Sequence, residues 1–451
     1  MTQASPTLTA GLSAVATDEV SCGDLQACFE RGRRRGAAMY RRTSTDGMTV
    51  ELLGLGIARS FAGDARHGSS APMTSAFSRF LGAISELDED ATKALRVLGW
   101  SAFDPAYATH EADEMPSWEG FPRHALYVPE VLIIKSEEGT RAVVAATQES
   151  TDAVWRRWRS IVAPSKARAD AASGDRDAHI RWLDGERFRR GVATVIDDEL
   201  AHKVVLARRA LMVAQEPIDI CAAMAVLDAQ YPSCTLFAIA PKEGAPVFAG
   251  ATPEPLVCVD NRRLKTVALA GTTRGSEQGA AARQKAEQAL VESDKDLEEH
   301  RYVIDMIVDG LAPMCSAIEV DSQPSVCRLA NVSHLQTSIT ARLKGESSLA
   351  GVVDALHPTP AVCGVPRDRA RALIADLEGY DRGLYAGTFG WLDAAGNGEF
   401  DVALRCGLID GHQALLFAGA GITADSEVEV EWHETSQKFE AFQGAITEGE
   451  R

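Results

Sequence analysis

The chain has 451 residues, 45% hydrophobic and 24% charged; this excludes general disorder and, at roughly 100–200 residues per domain, leaves two or three ordinary domains or one large one. Its 46 Lys and Arg against 64 Asp and Glu give a net charge of −18, which repels nucleic acid and anionic membranes, so an anionic ligand would need a few placed cations or a metal. Nine cysteines, an odd number without a CxxC pair, argue against a disulfide framework or zinc ribbon, and no apolar run reaches the ~18 residues of a membrane span.

In chain order, residues 1–20 lack the charged start and long apolar run of a secretory signal, so the expected location is a reducing cytoplasm. Arg31, Arg33, Arg34 and Arg35 form a basic cluster, but Asp24 and Glu30 sit close by, which reads as a solvated helix face. Residues 37–43 and 48–57 are strand-like around Asp46-Gly47, a type I′ hairpin signal. Val131 to Ile134 is expected to meet Ala142 to Ala145 across residues 136–139. Residues 163–177 read as a surface connection. Residues 1–180 are thus expected to form a segment of hairpins and helices, followed by a second region over 186–446.

The second region begins with a short strand, Lys203 to Arg208. Further strands are Thr235 to Ile239, Val247 to Gly250, Leu256 to Val259 and Leu264 to Ala270, with Asp260-Asn261 turning the last pair. Residues 279–310 carry one long helical pattern with Leu290, Leu297, Ile304 and Val308 on a stripe. Gly387 to Leu392, Phe400 to Leu408 and Gln413 to Ala418 predict a three-strand meander, and a last helix covers roughly 428–446. Hairpin strands mixed with long helices imply an α+β fold rather than a parallel doubly wound sheet.

Several constellations could carry chemistry. Glu431, Glu434 and Lys438 lie at i, i+3 and i+7 and share a helix face, which suits either a hard cation such as Mg²⁺ or an exposed Glu–Lys pair. Glu292, Asp296 and Glu299 repeat the pattern, with either a bound cation or plain screening offsetting their repulsion. Gly419 to Ala424 spells G-x-G-x-x-A, but too little chain follows for a βαβ dinucleotide unit. Lys203 opens an apolar strand and would be a base if desolvated, or an edge lysine in water. Glu254 follows a proline at a strand end, where an apolar pocket would keep its carboxyl protonated. His334 and Arg405 are single polar residues in apolar stretches, and Arg405 is suited to bidentate carboxylate binding.

Ten co-linear motifs go further than any one of these. They are Lys203-Val-Val-Leu-Ala-Arg208, Gly250-Ala-Thr-Pro-Glu254, Leu269-Ala-Gly-Thr-Thr-Arg274, Ser293-Asp-Lys-Asp-Leu-Glu-Glu299-His300 and Asn331-Val-Ser-His334-Leu. They continue with Leu356-His-Pro-Thr-Pro-Ala361, Asp381-Arg-Gly-Leu-Tyr385-Ala-Gly, Ala403-Leu-Arg405, Gly419-Ala-Gly-Ile and Glu431-Trp-His-Glu434-Thr. Their order resembles the chorismate-utilising enzymes, the family of isochorismate, anthranilate, aminodeoxychorismate and salicylate synthases, over about residues 186–446. Within it the sequence is most similar to the isochorismate synthases.

The resemblance implies antiparallel β-sheets packed as a sandwich with helices outside, and a Mg²⁺-dependent exchange of chorismate and isochorismate by a monomer. By that resemblance Lys203 activates the water that attacks ring C2, and Glu254 protonates the departing C4 hydroxyl. Glu299 and Glu434 match Mg²⁺ ligands, with Glu431 a supporter. Gly271, Thr272, Arg405, Gly419 and Lys438 match groups that hold the two substrate carboxylates, and His334, Ala361 and Tyr385 further substrate contacts. Members that use ammonia carry Gln where this chain has Lys203. Pro255 and Leu297-Glu298 depart from the usual neighbours without removing a chemical group. Salicylate synthases, the nearest alternative, carry Thr where this chain has Ala361, whereas His334 is common to both. A non-catalytic binding module and a nicotinamide oxidoreductase are the readings from other classes. Menaquinone, catechol siderophores and salicylate are all downstream of isochorismate.

Overall fold

A computed structural model describes residues 12–17, 20–45, 48–61, 72–85, 87, 89–104, 115–164, 178–198, 201–274, 280–328 and 332–447. The side chains of Thr17, Ser44, Thr45, Thr272, Arg274, Ala280, Lys295, Glu299, Val332 and Ala441 are outside that description, as are the Asp46-Gly47 turn and most of the 163–177 connection. Among the described residues every strand pairing is antiparallel, and the strands form two sheets.

Across the first sheet the order is Ser13–Thr17, Gly139–Ala146, Val131–Ser136, Met48–Leu55, Ala38–Thr45, Thr235–Ala240, Val247–Thr252, Cys406–Asp410, Gln413–Ile422, Lys203–Ala214 and Gly364–Val365, with Ala178–Trp182 also on Lys203–Ala214. The second sheet runs Cys315–Val320, Val332–Leu343, Arg263–Arg274, Pro255–Asp260, Gly398–Val402, Thr388–Asp393, Arg96–Ser101, His124–Val128 and Arg59–Ser60, with Ser325–Arg328 on Val332–Leu343. Strands from before residue 150 therefore enter both sheets.

Side chains alternate across a strand, so a sheet buried on both faces needs apolar residues at every position. The first sheet shows this: Leu132 and Val143 join one core, while Ile133 and Val144 join another. The first core lies between the sheets, where Phe237 of one packs on Phe389 of the other with ring centroids 4.2 Å apart. The second lies under helices Leu25–Arg33, Thr151–Val162, Ile220–Gln230 and Val428–Thr447, which contribute Phe29, Trp158, Leu227 and Phe439. Each such side chain, fully buried, stabilises by roughly 1.5–3 kcal/mol. Asp24, Ser150 and Asp219 cap the first three of these helices, each side chain accepting from a backbone N–H three residues on. The architecture is thus α+β, two antiparallel sheets face to face with helices outside. Among the described residues no helix is long and apolar enough to cross a membrane.

Four local expectations need correction. The helical pattern over 279–310 is two helices, Ala280–Glu292 and Asp294–Leu311, broken at Ser293, whose side chain accepts from Asp296 N–H and caps the second. Glu292 therefore ends one helix and does not share a face with Asp296 and Glu299 in the next. The buried stripe of the second helix is His300, Val303, Ile307 and Leu311, one position off the predicted Ile304 and Val308. The short strand at Lys203 continues to Ala214 and is buried along almost all of it. The three-strand meander is four strands: Thr388–Asp393 and Gly398–Val402 belong to one sheet, Cys406–Asp410 and Gln413–Ile422 to the other. The break falls at Ala403-Leu404-Arg405, where Arg405 has a left-handed φ of 49°.

Candidate active site

Two chain crossings between the sheets meet at a cavity of about 430 Å³. Pro253-Glu254 carries the chain from Val247–Thr252 in the first sheet to Pro255–Asp260 in the second, and Ala403-Leu404-Arg405 carries it back. The crossings are tied together. Val402 N–H donates to the Glu254 carbonyl at 2.9 Å, the Thr252 hydroxyl donates to the Val402 carbonyl at 2.5 Å, and Glu254 N–H donates to the Thr252 hydroxyl at 3.2 Å. Ala251 N–H donates to the Arg405 carbonyl at 3.2 Å, so backbone hydrogen bonds hold both Glu254 and Arg405 at the crossings.

Both line the cavity. Burial raises the Glu254 carboxyl to about 7, against the opposing pull of the Lys203, Lys438 and Arg405 cations. It is therefore a carboxyl that carries a proton near neutral pH. Burial also pulls the Arg405 guanidinium below its ordinary value. No described residue hydrogen-bonds that guanidinium, which leaves its donor fork available to an anion in the cavity.

Lys203 lies at the far end of the first sheet, paired with Val365, and also lines the cavity. Its side chain lies across Gly421 on the neighbouring strand: a Cβ at Gly421 would stand 2.6 Å from Lys203 Cε and 3.3 Å from Nζ. At Gly419, two residues earlier, a Cβ would stand 3.1 Å from the Tyr385 hydroxyl and 3.1 Å from the Leu206 carbonyl. The G-x-G-x-x-A segment is thus largely strand, Gln413–Ile422, and its glycines leave room for Lys203 and Tyr385. No helix begins until Val428, so the segment is not a strand-to-helix phosphate loop.

The last helix supplies the acidic side. Glu431, Glu434 and Lys438 face the cavity. Lys438 Nζ donates to Glu434 Oε1 at 2.8 Å and to the Gly419 carbonyl at 2.8 Å. Burial disfavours the charge on Glu434, but Lys438, His334 and Lys203 outweigh it and hold that carboxyl below its ordinary range; burial raises Glu431. The opposite face of the helix is locked by Arg208, which is buried without a carboxylate among its hydrogen-bond partners. It donates to the Thr435 hydroxyl at 2.8 Å, the Ser436 hydroxyl at 2.6 Å and the Trp432 carbonyl at 3.2 Å. Trp432 is held between two guanidiniums, Arg208 at 3.6 Å and Arg189 at 3.9 Å from its ring. Burial, with repulsion from Arg189, pulls Arg208 down to about 10.

On the second sheet Gly271 (φ 69°) forms an irregularity between Ala270 and Thr272. A Cβ there would stand 3.2 Å from Asp296 Cβ. His334, the Cα partner of Thr272, lines the cavity, and burial with the Lys438 and Arg405 charges lowers it to about 4, so it is neutral. Tyr385 stacks on Phe417 at 5.1 Å, and Phe417 on Trp118 at 5.9 Å, which backs the wall with a residue of the N-terminal segment. Ala361 presents a methyl group to the cavity.

The structure therefore gathers Lys203, Glu254, Gly271, His334, Ala361, Tyr385, Arg405, Gly419, Glu431, Glu434 and Lys438 around one space. Thr272 stands beside Gly271, and Glu299 three positions after cavity-lining Asp296, but their side chains lie outside the described residues. Phe417 is a lining residue to which no role fell from the sequence, whereas Asp296 belongs to the acidic pattern read at 292–299 and Gly421 to the G-x-G-x-x-A segment. What Gly421 does, leaving room for the Lys203 side chain, had no signal in the sequence. Among the described residues no three His, Cys, Asp or Glu side chains converge to hold a metal. Glu431 and Glu434, on one face of the last helix, offer the carboxylate oxygens that a hard divalent cation takes, and such an ion keeps waters and ligand oxygens in its other positions.

A cavity with a protonatable carboxyl, an amine, a guanidinium and a carboxylate helix, set between two antiparallel sheets, suits an enzyme for a small polyanion. Residues 7–447 match the family model described as chorismate binding enzyme, and the chain belongs to that family. It is 35% identical over 367 residues to the salicylate biosynthesis isochorismate synthase of Pseudomonas aeruginosa, covering 78% of this chain and 75% of that one. It is 32% identical over 366 residues to the isochorismate synthase MenF of Bacillus subtilis, covering 79% and 75%. The fold is similar to that of the menaquinone-specific isochorismate synthase MenF of Escherichia coli, with a TM-score of 0.79 and 25% identity over 97% of this chain and 95% of that one.

Proposed function

We propose that this enzyme is a Mg²⁺-dependent isochorismate synthase that interconverts chorismate and isochorismate. The observation that carries the reading is the pairing of Lys203 with a Glu254 carboxyl that titrates near 7, in one cavity with Arg405. Isomerisation needs a base and an acid acting together. Lys203 takes a proton from water as its oxygen bonds to ring C2. The two ring double bonds shift, the C4–oxygen bond breaks, and the Glu254 carboxyl gives its proton to the leaving hydroxyl. One proton is taken and one given, so the substrate's charge is unchanged.

Arg405 and Lys438 supply positive charge for the two substrate carboxylates in a chain of net charge −18. Glu431 and Glu434, with Glu299 of helix Asp294–Leu311, would hold Mg²⁺, which when bound would offer a positive centre to the ring carboxylate. Ala361 places no hydroxyl against the ring. The relatives carry salicylate and menaquinone in their names, and isochorismate serves either route.

Purified protein with chorismate and Mg²⁺ should form isochorismate without pyruvate, and chelation should stop it. Steady release of pyruvate with fluorescent salicylate would replace this reading by the salicylate synthase one. Glu434→Gln should sharply raise the Mg²⁺ requirement; unchanged metal dependence would remove Glu434 from the ligand set.

A further inference from the structure

One edge of strand Lys203–Ala214 is covered by strand Gly364–Val365 at Lys203 and Val204, and by strand Ala178–Trp182 from Ala210 onward. Between these covers, among the described residues, no strand pairs with that edge. Val205 N–H still donates to the Cys363 carbonyl at 2.8 Å, and the Arg209 carbonyl already accepts from Leu183 N–H at 3.0 Å. The Val205 carbonyl and the Ala207 N–H fall in the interval. Both residues are buried, where an unpaired backbone group is costly.

Two side chains take the place of the missing strand. Glu378 Oε1 accepts from Ala207 N–H at 2.7 Å, and Arg382 Nη2 donates to the Val205 carbonyl at 2.7 Å. Glu378 is the last residue of helix Arg367–Glu378, and Gly379, with a left-handed φ of 64°, turns the chain after it. The two side chains meet across that turn. Arg382 Nε donates to Glu378 Oε2 at 2.8 Å, and Nη2 also donates to Glu378 Oε1. Arg382 Nη1 donates to the Val362 carbonyl at 2.9 Å. Both side chains are buried, and the guanidinium lies 4.2 Å from the Phe103 ring.

The groups this fork holds belong to the cavity wall. Val205 is two residues from Lys203 on the same strand face, and Val362 follows Ala361; all four line the cavity, whereas Arg382 does not. A buried ion pair adds little net stability, because taking two charges out of water offsets most of their attraction. What a guanidinium adds is geometry, since its planar fork fixes several acceptors relative to one another, as the point charge of an ammonium does not.

We propose that Arg382 is a positioning residue of the isomerisation: held by Glu378, it fixes the strand that carries Lys203 against the turn that carries Ala361. The proposal rests on the isochorismate synthase reading. Arg382 acts through the backbone at Val205, and what it sets is the place of the Lys203 amine.

The test is a double-mutant cycle on the intact protein. Arg382→Lys keeps the charge beside Glu378 and loses the fork. It should lower kcat about 10²-fold, the effect of a misplacement near 1 Å. KM for chorismate should stay within about twofold of the parent, since Arg405 and Lys438 are untouched. In the Lys203→Ala background the same substitution should lower the residual kcat less than about twofold, because no amine is left to place. A residue that only supports the fold would lower both backgrounds by the same factor, and that result would overturn the proposal. So would a parent-like kcat in Arg382→Lys, or a rise in KM that matches the fall in kcat. Should Arg382→Lys not fold, Glu378→Gln, which keeps an acceptor for Ala207 N–H, carries the same cycle with the same outcomes. A parent that turns over no chorismate would end the isochorismate synthase reading and this proposal with it; normal parent turnover with an additive cycle would end this proposal alone.

Discussion

The segment up to residue 164 and the region from 203 to 438 enter the same two sheets yet do different work. The early strands extend the sheets outward, and their helices and hairpins bury Phe29, Trp100 and Trp158. Among the described residues none of the cavity lining comes from this segment, although its Trp118 backs Phe417 from behind. The later region contains both crossings between sheets and, among the described residues, all the charged groups that face the cavity. The difference teaches that extending a sheet adds buried area, whereas leaving one sheet for another interrupts the backbone pairing and brings side chains from distant segments together.

The comparison is broken most directly by the largest effect. Lys203→Ala should cut kcat by about 10²–10⁴-fold, the usual size of a lost general base, with the circular dichroism spectrum unchanged. Retained turnover would deny the later region its chemistry. Glu254→Gln should cause a loss of the same order and abolish the decline in kcat/KM expected as pH rises above about 7, where the acid loses its proton.

Glu254 also carries a stability signature. Its folded value lies above its ordinary value of 4.5, so its contribution is full below pH 4.5 and is lost as pH rises through about 7. Glu254→Gln should therefore melt no lower than the parent at pH 8, and above it if the burial of charge dominates, whereas this advantage should be gone at pH 4. A melting point well below the parent at pH 8 would show that the carboxylate is stabilised there.

A smaller effect sharpens the role of the glycines. Gly421→Ala should displace the Lys203 side chain and lower kcat by up to about 10²-fold, as a misplacement near 1 Å can, with little change in unfolding temperature. Arg208→Met keeps an apolar stem among the rings but removes hydrogen bonds from a charged donor, worth about 1.5–3 kcal/mol each in favourable cases. It should raise KM through a less fixed terminal helix, and measured KM and kcat would separate that from general unfolding. The smallest effect on chemistry is expected in the early segment. Trp158→Ala should cost about 3–5 kcal/mol of stability while kcat of the folded fraction stays at the parent value.

Much of the fold was legible because alternation and turn residues act locally. The pairing of Val131–Ser136 with Gly139–Ala146, the strand pair around residues 46–47 and the extent of the last helix all follow from short patterns. Two breaks were not read, since apolar periodicity runs straight through both. Leu290 and Leu297 match one helical stripe across Ser293, although Ser293 followed by Asp296 is a capping signal that could have divided it. The run from Phe400 to Leu408 stays apolar where the chain changes sheets, because each sheet offers it a core. Around the cavity, residue types carried the charged groups, but the small residues had no local signal. Gly421 matters only because Lys203, on an adjacent strand and remote in sequence, lies across it.

The hydrogen bonds that join Thr252 and Glu254 to Val402 have a mechanical consequence. They rivet the two layers at the point where the acid and the guanidinium emerge, so the spacing of these groups is set by how the layers sit on each other. A slip of one layer by a single residue, about 3.3 Å, would pull the pair out of alignment, whereas lengthening a peripheral hairpin would leave it untouched. Variation in this scaffold is thus free at the rim and confined, at the rivet, to exchanges of wall side chains such as Ala361.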